Sequence, residues 1–139
     1  MPTRTASAVW NGTLHDGEGA LSLESGAYDG PYSFASRFAD ADTTNPEELL
    51  GAAEAGCYAM ALALHLGEAG YDPQRVQAEA AVTLDADALE ITGVELDVTG
   101  EVPGVDEAEF REHAADAAEG CPVSKALGGT DVDVDASLA

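Results

Sequence analysis

Asn45-Pro46-Glu47-Glu48-Leu49-Leu50-Gly51-Ala52-Ala53-Glu54-Ala55-Gly56-Cys57-Tyr58-Ala59-Met60-Ala61-Leu62 opens the longest periodic segment of the chain. Asn45 can accept from the free N–H groups of a helix start. Pro46 suits the first helical position, and Glu47 and Glu48 stand at the positive end of the dipole. Leu49, Ala53, Cys57, Met60 and Leu64 then recur as one apolar stripe, which predicts a helix over 46–69. About 24 residues at 1.5 Å each make about 36 Å, longer than a small domain is wide. Gly51, Ala52, Ala53, Ala55 and Gly56 allow close packing on several faces. A helix this long and this apolar in a 14.2 kDa chain calls for a second chain to cover it, so a dimer is expected.

Before this helix, residues 4–38 carry β-structure. Short extended runs at 5–10 and 20–24 flank the turn His15-Asp16-Gly17-Glu18-Gly19, and Tyr28-Asp29-Gly30-Pro31-Tyr32 forms a second turn leading into 33–38. After the helix, Gly67, Gly70 and Asp72-Pro73 prevent its continuation. Alternating apolar residues predict strands over 76–84 and 89–101, joined by the turn Asp85-Ala86-Asp87. A helix over 105–119, amphipathic through Phe110, Ala114 and Ala117/Ala118, ends at Gly120. A short helix follows at 121–127 with Pro122 first, and Asp131-Val132-Asp133-Val134-Asp135 closes the chain as a half-buried strand. The predicted order is βββ-α-ββ-α-α-β, an α+β fold in a single domain over 1–139.

Acidic residues number 27 against 5 Lys and Arg, a formal charge of −22. Phosphate contacts need Lys and Arg, so nucleic acid and anionic membrane surfaces are excluded as partners. The acids are dispersed among apolar stripes, as on a solvated surface, and not gathered into a tail. Self-repulsion on so small a body destabilises it at low ionic strength, and molar salt shortens the Debye length to about 3 Å. Work in concentrated salt, as in a halophile's cytosol, is expected. No apolar run reaches the length of a membrane span and the first residues lack an apolar leader segment, so a cytoplasmic location is expected.

Two cysteines, Cys57 and Cys121, are 64 positions apart. In a reducing compartment such a pair points to transient redox chemistry or to plain burial. Cys57 lies on the apolar stripe, where a small buried hydrophobe is the simpler reading. Cys121 precedes Pro122 at a helix start, where free N–H groups stabilise an anion and lower a thiol pKa. Arg37, between Phe34 and Phe38, is one of only four arginines and is expected to be paired with a carboxylate. Glu54 lies one turn before Cys57, and Glu47 lies ten residues before it. A solvated helix face is the competing reading for both acids. A Cys57/His65/His113/Cys121 zinc site lacks any short ligand pair and has little support. No cofactor is predicted, since no Gly-rich loop links a strand to a helix.

The run Thr43-Thr44-Asn45-Pro46-Glu47-Glu48-Leu49-Leu50-Gly51-Ala52-Ala53, the run Ala55-Gly56-Cys57-Tyr58-Ala59-Met60-Ala61-Leu62 and Gly120-Cys121-Pro122-Val123-Ser124 together resemble the OsmC/Ohr family of thiol-dependent peroxidases. Glu24-Ser25-Gly26, Arg37-Phe38 and Leu66-Gly67-Glu68-Ala69-Gly70 resemble its OsmC branch. The resemblance implies an intertwined homodimer that reduces organic hydroperoxides in oxidative or osmotic stress defence. It makes Cys57 similar to the peroxide-attacking cysteine and Cys121 to the resolving one. Arg37 matches the arginine that stabilises the thiolate and orients the peroxide, and Glu47 the carboxylate that holds it. Position 54 departs from relatives that carry His there: Glu54 adds a negative charge that raises the Cys57 pKa unless Arg37 compensates. Helix-end physics alone makes Cys121 the more acidic thiol, whereas the resemblance gives the attack to Cys57.

On this reading Phe34, Phe38 and Met60 form an apolar pocket around Cys57 that favours alkyl hydroperoxides over hydrogen peroxide. An external dithiol, of lipoyl type by the resemblance, reduces the Cys57–Cys121 disulfide. The alternative is a non-catalytic dimer of the same fold that binds an apolar ligand or senses redox state.

Overall fold

Residues 1–40 and 42–139 are described by the computed structural model. They form two compact units, residues 1–49 and residues 50–139. In the first, strands β1 (Ala6–Asn11), β2 (Glu18–Leu23) and β3 (Asp29–Tyr32) make an antiparallel sheet in that order. The β3 segment was expected as a turn because of Gly30-Pro31. It is an edge strand, where Pro31 pairs opposite Ala20 and the lost donor costs the ladder little. The segment expected to stay extended after it is instead a short helix, α1 (Phe34–Phe38). Ser33 and Ser36 explain the correction: each side chain accepts from the other's backbone N–H, at 3.1 and 2.9 Å, a capping box that extended structure would forgo.

The long helix α2 (Pro46–Glu68) begins as its sequence dictates. Asn45 Oδ1 accepts from the Glu48 N–H at 2.8 Å, and Thr44 Oγ1 donates to the Glu48 carboxylate at 3.0 Å. Asn45 Nδ2 donates to the Ser36 carbonyl at 2.8 Å, tying α1 to the helix start. The buried face differs from the predicted stripe. Glu47, Gly51, Glu54, Tyr58, Leu62 and Leu66 are buried, while Ala53, Met60 and Leu64 are exposed. The predicted stripe was chosen by apolar identity, and the true inner face contains two carboxylates that such a choice discards. Between Leu49 and Leu66 Glu54 is the sole Asp, Glu, Lys or Arg. The helix is therefore long and apolar enough by composition to span a bilayer, contrary to the expectation above.

The second unit is a sheet of β4 (Arg75–Asp85), β5 (Glu90–Glu101) and β6 (Asp131–Leu138). The β4–β5 hairpin is antiparallel, closed by Asp85 Oδ1 accepting from the N–H groups of Asp87 and Ala88 at 3.0 Å each. The pairing of β5 with β6 is parallel. It needs a crossover, which α3 (Glu107–Gly120) and α4 (Pro122–Ala126) supply. Val94, Leu96 and Val98 of β5 turn inward and Glu95 and Asp97 outward, the alternation that a half-buried strand requires. The core gathers Tyr58, Leu62 and Leu66 with Leu96, Val98 and Phe110. Gly100 is required there, because a Cβ on it would stand 2.6 Å from the fully buried Phe110 ring. The observed order, βββ-α-α-ββ-α-α-β, differs from the predicted α+β order by the single helix α1.

Candidate active site

Within residues 1–49, α1 presents Arg37 and the first turn of α2 presents Glu47. Arg37 Nε and one terminal nitrogen both donate to Glu47 Oε1, at 3.0 and 2.9 Å. The Glu47 carboxylate is nearly buried, whereas the Arg37 side chain is 41% exposed and free to meet a ligand. Glu47 Oε2 is buried without a partner. The Arg37 guanidinium also lies 5.4 Å from the centre of the Phe38 ring, a cation–π distance. Beside it opens a cleft of about 340 Å³ lined by Trp10, Leu14, Tyr32, Phe34 and Phe38 as well as Arg37. Its wall is apolar with one guanidinium at the rim, and Phe34 and Phe38 both line it. Met60, expected as a third pocket residue, does not line this cleft and is 76% exposed on α2.

Within residues 50–139, Cys57 on α2 and Cys121 at the start of α4 come together. Both are free thiols and their sulfurs are 2.9 Å apart. Cys121 is wholly buried and Cys57 partly exposed. Burial pushes the Cys57 thiol up, and so do its contact with Cys121 and the negative charge of Glu54. Burial also opposes ionisation of Cys121, but it is outweighed. Cys57, the Ser124 hydroxyl and the backbone N–H groups of Ser124 and Val123 together hold the Cys121 thiol below its usual value. The order of acidity is therefore the one that helix-end physics gives, with Cys121 the more acidic.

Three partners were not legible in the sequence. The Ser124 hydroxyl donates to Glu54 Oε1, and Glu54, although a carboxylate, is fully buried with Oε2 unpartnered. The Tyr58 hydroxyl donates to the Ala114 carbonyl at 2.7 Å and anchors α2 to α3, and burial pushes its own pKa up. Tyr71 donates to the Glu109 carboxylate at 2.6 Å. Among the described residues no three His, Cys, Asp or Glu side chains gather as metal ligands.

Residues 39–137 match the model of the OsmC-like protein family. The chain is 44% identical over 127 residues to peroxiredoxin OsmC of Escherichia coli, covering 89% of each. The chain belongs to the OsmC family. Among solved structures it is similar to the organic hydroperoxide resistance protein OhrB of Bacillus subtilis, with 27% identity, a TM-score of 0.66 and coverage of 97% and 98%. An OsmC-like protein of Mycoplasma pneumoniae, 16% identical with a TM-score of 0.76, covers 99% of this chain and 98% of its own and shares the fold. The order of strands and helices found here is therefore that of OsmC and Ohr proteins.

Proposed function

We propose that this OsmC-family peroxidase reduces organic hydroperoxides to alcohols through a Cys57 sulfenic acid and a Cys57–Cys121 disulfide. One observation carries the assignment of roles. The two sulfurs are within bonding reach of each other, yet only Cys57 has an exposed edge, so a peroxide meets Cys57 first although Cys121 is the more acidic. The Cys57 thiolate attacks the terminal peroxide oxygen and the O–O bond breaks. The alkoxide takes a proton and leaves as alcohol, giving Cys57 sulfenic acid. Cys121 then gives up its thiol proton and its sulfur attacks the Cys57 sulfur, the S–O bond breaks, and the hydroxide takes a proton and leaves as water. An external dithiol, of lipoyl type by family resemblance, reduces the disulfide.

The same resemblance assigns peroxide orientation and thiolate stabilisation to Arg37, with Glu47 fixing the guanidinium. The aromatic cleft beside Arg37 supports an alkyl over a bare hydrogen peroxide. A homodimer in the cytoplasm, in oxidative or osmotic stress defence, completes the proposal. Its support is the outer face of α2, where Ala53, Gly56, Met60, Leu64 and Gly67 form an exposed stripe of small and apolar residues at helical spacing.

The test is turnover of cumene hydroperoxide and of hydrogen peroxide with a dithiol reductant, at low and at molar KCl. Cys57→Ser and Cys121→Ser serve as controls. Organic peroxide turnover that disappears in Cys57→Ser establishes the nucleophile. First-turnover alcohol release lost only in Cys121→Ser reverses the two roles. No turnover from a folded dimer in either salt favours the ligand-binding or sensing alternative.

A further inference from the structure

Glu54 stands three residues before Cys57 on α2, and its Oε1 accepts from Ser124, three residues after Cys121. It is fully buried, and its Oε2 has no partner. A carboxylate in such a place is costly unless it has a task or a full set of donors, and among the described residues one hydroxyl is its sole donor. Ser124 bears on both sides of this arrangement, since it also stands in the first turn of α4, three residues after Cys121, where its hydroxyl favours the Cys121 thiolate. A hydroxyl has one proton to give. It can donate to the Glu54 carboxylate while accepting from a Cys121 thiol. It can equally donate to a Cys121 thiolate while accepting from a protonated Glu54. The two patterns differ by a proton moved from sulfur to carboxyl.

We propose that Glu54 and Ser124 form a proton relay for the disulfide-forming half of the reaction. This rests on the peroxidase reading above. As the Cys121 sulfur attacks the Cys57 sulfenic acid, the thiol proton passes to Ser124 and the Ser124 proton passes to Glu54. The S–S bond forms, the S–O bond breaks, and Glu54 returns the proton to the departing hydroxide, which leaves as water. Glu54 ends as the carboxylate it was, and no further reactant is needed. Its place three residues before Cys57 on α2 puts it one helical turn from the residue that loses the oxygen, and its Oε1 is on Ser124. Glu54 takes the Cys121 proton through Ser124 and delivers it to the hydroxide itself.

The experiment is a single turnover. Reduced protein is mixed with an equivalent of cumene hydroperoxide, the disulfide is followed by thiol quenching and mass spectrometry, and sulfenic acid is trapped with dimedone. Glu54→Gln keeps the shape and can still accept from Ser124, but it cannot take the proton. Disulfide formation in it is expected to slow by about 100-fold or more, the usual scale of acid–base assistance, with the Cys57 dimedone adduct accumulating. Ser124→Ala should show the same defect and Ser124→Thr, which restores a hydroxyl, should recover the rate. Disulfide formation by Glu54→Gln within twofold of the wild type, or equal slowing in the Ala and Thr variants, would overturn the relay alone. A wild type that releases no alcohol and forms no disulfide would overturn the peroxidase reading and the relay with it.

Discussion

Removing the Glu47 carboxylate tests whether Arg37 works because it is held. Both Arg37 bonds end on one oxygen, Glu47 Oε1, at 3.0 and 2.9 Å. A hydrogen bond to a charged partner contributes about 1.5–3 kcal/mol and a neutral one about 0.5–1.5. Glu47→Gln keeps an accepting oxygen and loses only the charge-assisted part, about 1 kcal/mol, or a fivefold fall in kcat/KM. Glu47→Ala loses both bonds. Because the Arg37 side chain is 41% exposed, water screens part of that loss. After this discount about 1.5–2 kcal/mol remains, or about 10- to 30-fold. The assay is kcat/KM for cumene hydroperoxide across wild type, Glu47→Gln, Glu47→Ala, Arg37→Ala and the Arg37→Ala/Glu47→Ala double variant. If Glu47 acts only through Arg37, the double variant is no slower than Arg37→Ala. Effects that simply add, or an unchanged kcat/KM in Glu47→Ala, refute the reasoning.

Four other outcomes follow from the same structure. Thiolate absorbance against pH should show the thiol left in Cys57→Ser ionising at lower pH than the one left in Cys121→Ser, since burial and Glu54 hold Cys57 up while Ser124 and the N–H groups at the start of α4 hold Cys121 down. Tyr58→Phe removes the donor to the buried Ala114 carbonyl, and urea denaturation should show a loss of about 1–3 kcal/mol. Gly100→Ala drives a methyl into the Phe110 ring and should cost about 1–3 kcal/mol by the same measurement. Raising KCl from dilute to molar should raise Tm by several degrees. Glu79, Asp97 and Asp135 lie directly across adjacent strands on an exposed sheet face, as do Glu95 and Asp133, and each like-charged pair costs about 0.2–1 kcal/mol when unscreened. A Tm that falls with salt contradicts this account.

Most of the fold was legible because its signals are local. Asn45-Pro46 starts α2, alternating residues mark β4 and β5, and Gly120-Cys121-Pro122 separates α3 from α4. What failed locally was α1, where the paired serines 33 and 36 cap a helix in a segment read as β-structure. The stripe on α2 failed for a tertiary reason. Periodicity gives the existence of an apolar face, but Ala and Gly all round a helix leave its direction open, and contacts with β5 and α3 residues in the shared core set it. The Cys57–Cys121 and Arg37–Glu47 pairs followed from family resemblance, and their neighbours did not. Ser124 lies 70 residues from Glu54, and no spacing rule joins them.

The acids themselves explain why the burial of Glu54 was not legible and why it matters. In a chain with 27 Asp and Glu, any one carboxylate reads as solvated surface. Among the described residues only Glu47 and Glu54 are buried. Both lie on α2, seven residues apart and so on one face. Each accepts through Oε1 alone and keeps a buried Oε2 without a partner. A protein under pressure merely to carry negative charge has no reason to bury any of it, because desolvation opposes the charged form and leaves the surface field unchanged. Burial of these two is therefore accounted for by what they touch: one holds the Arg37 guanidinium, the other the Ser124 hydroxyl three residues after Cys121. Surface acidity and site acidity are separate features of this sequence. High salt should restore stability lost to the first, while the single-turnover defect of Glu54→Gln should persist in molar KCl.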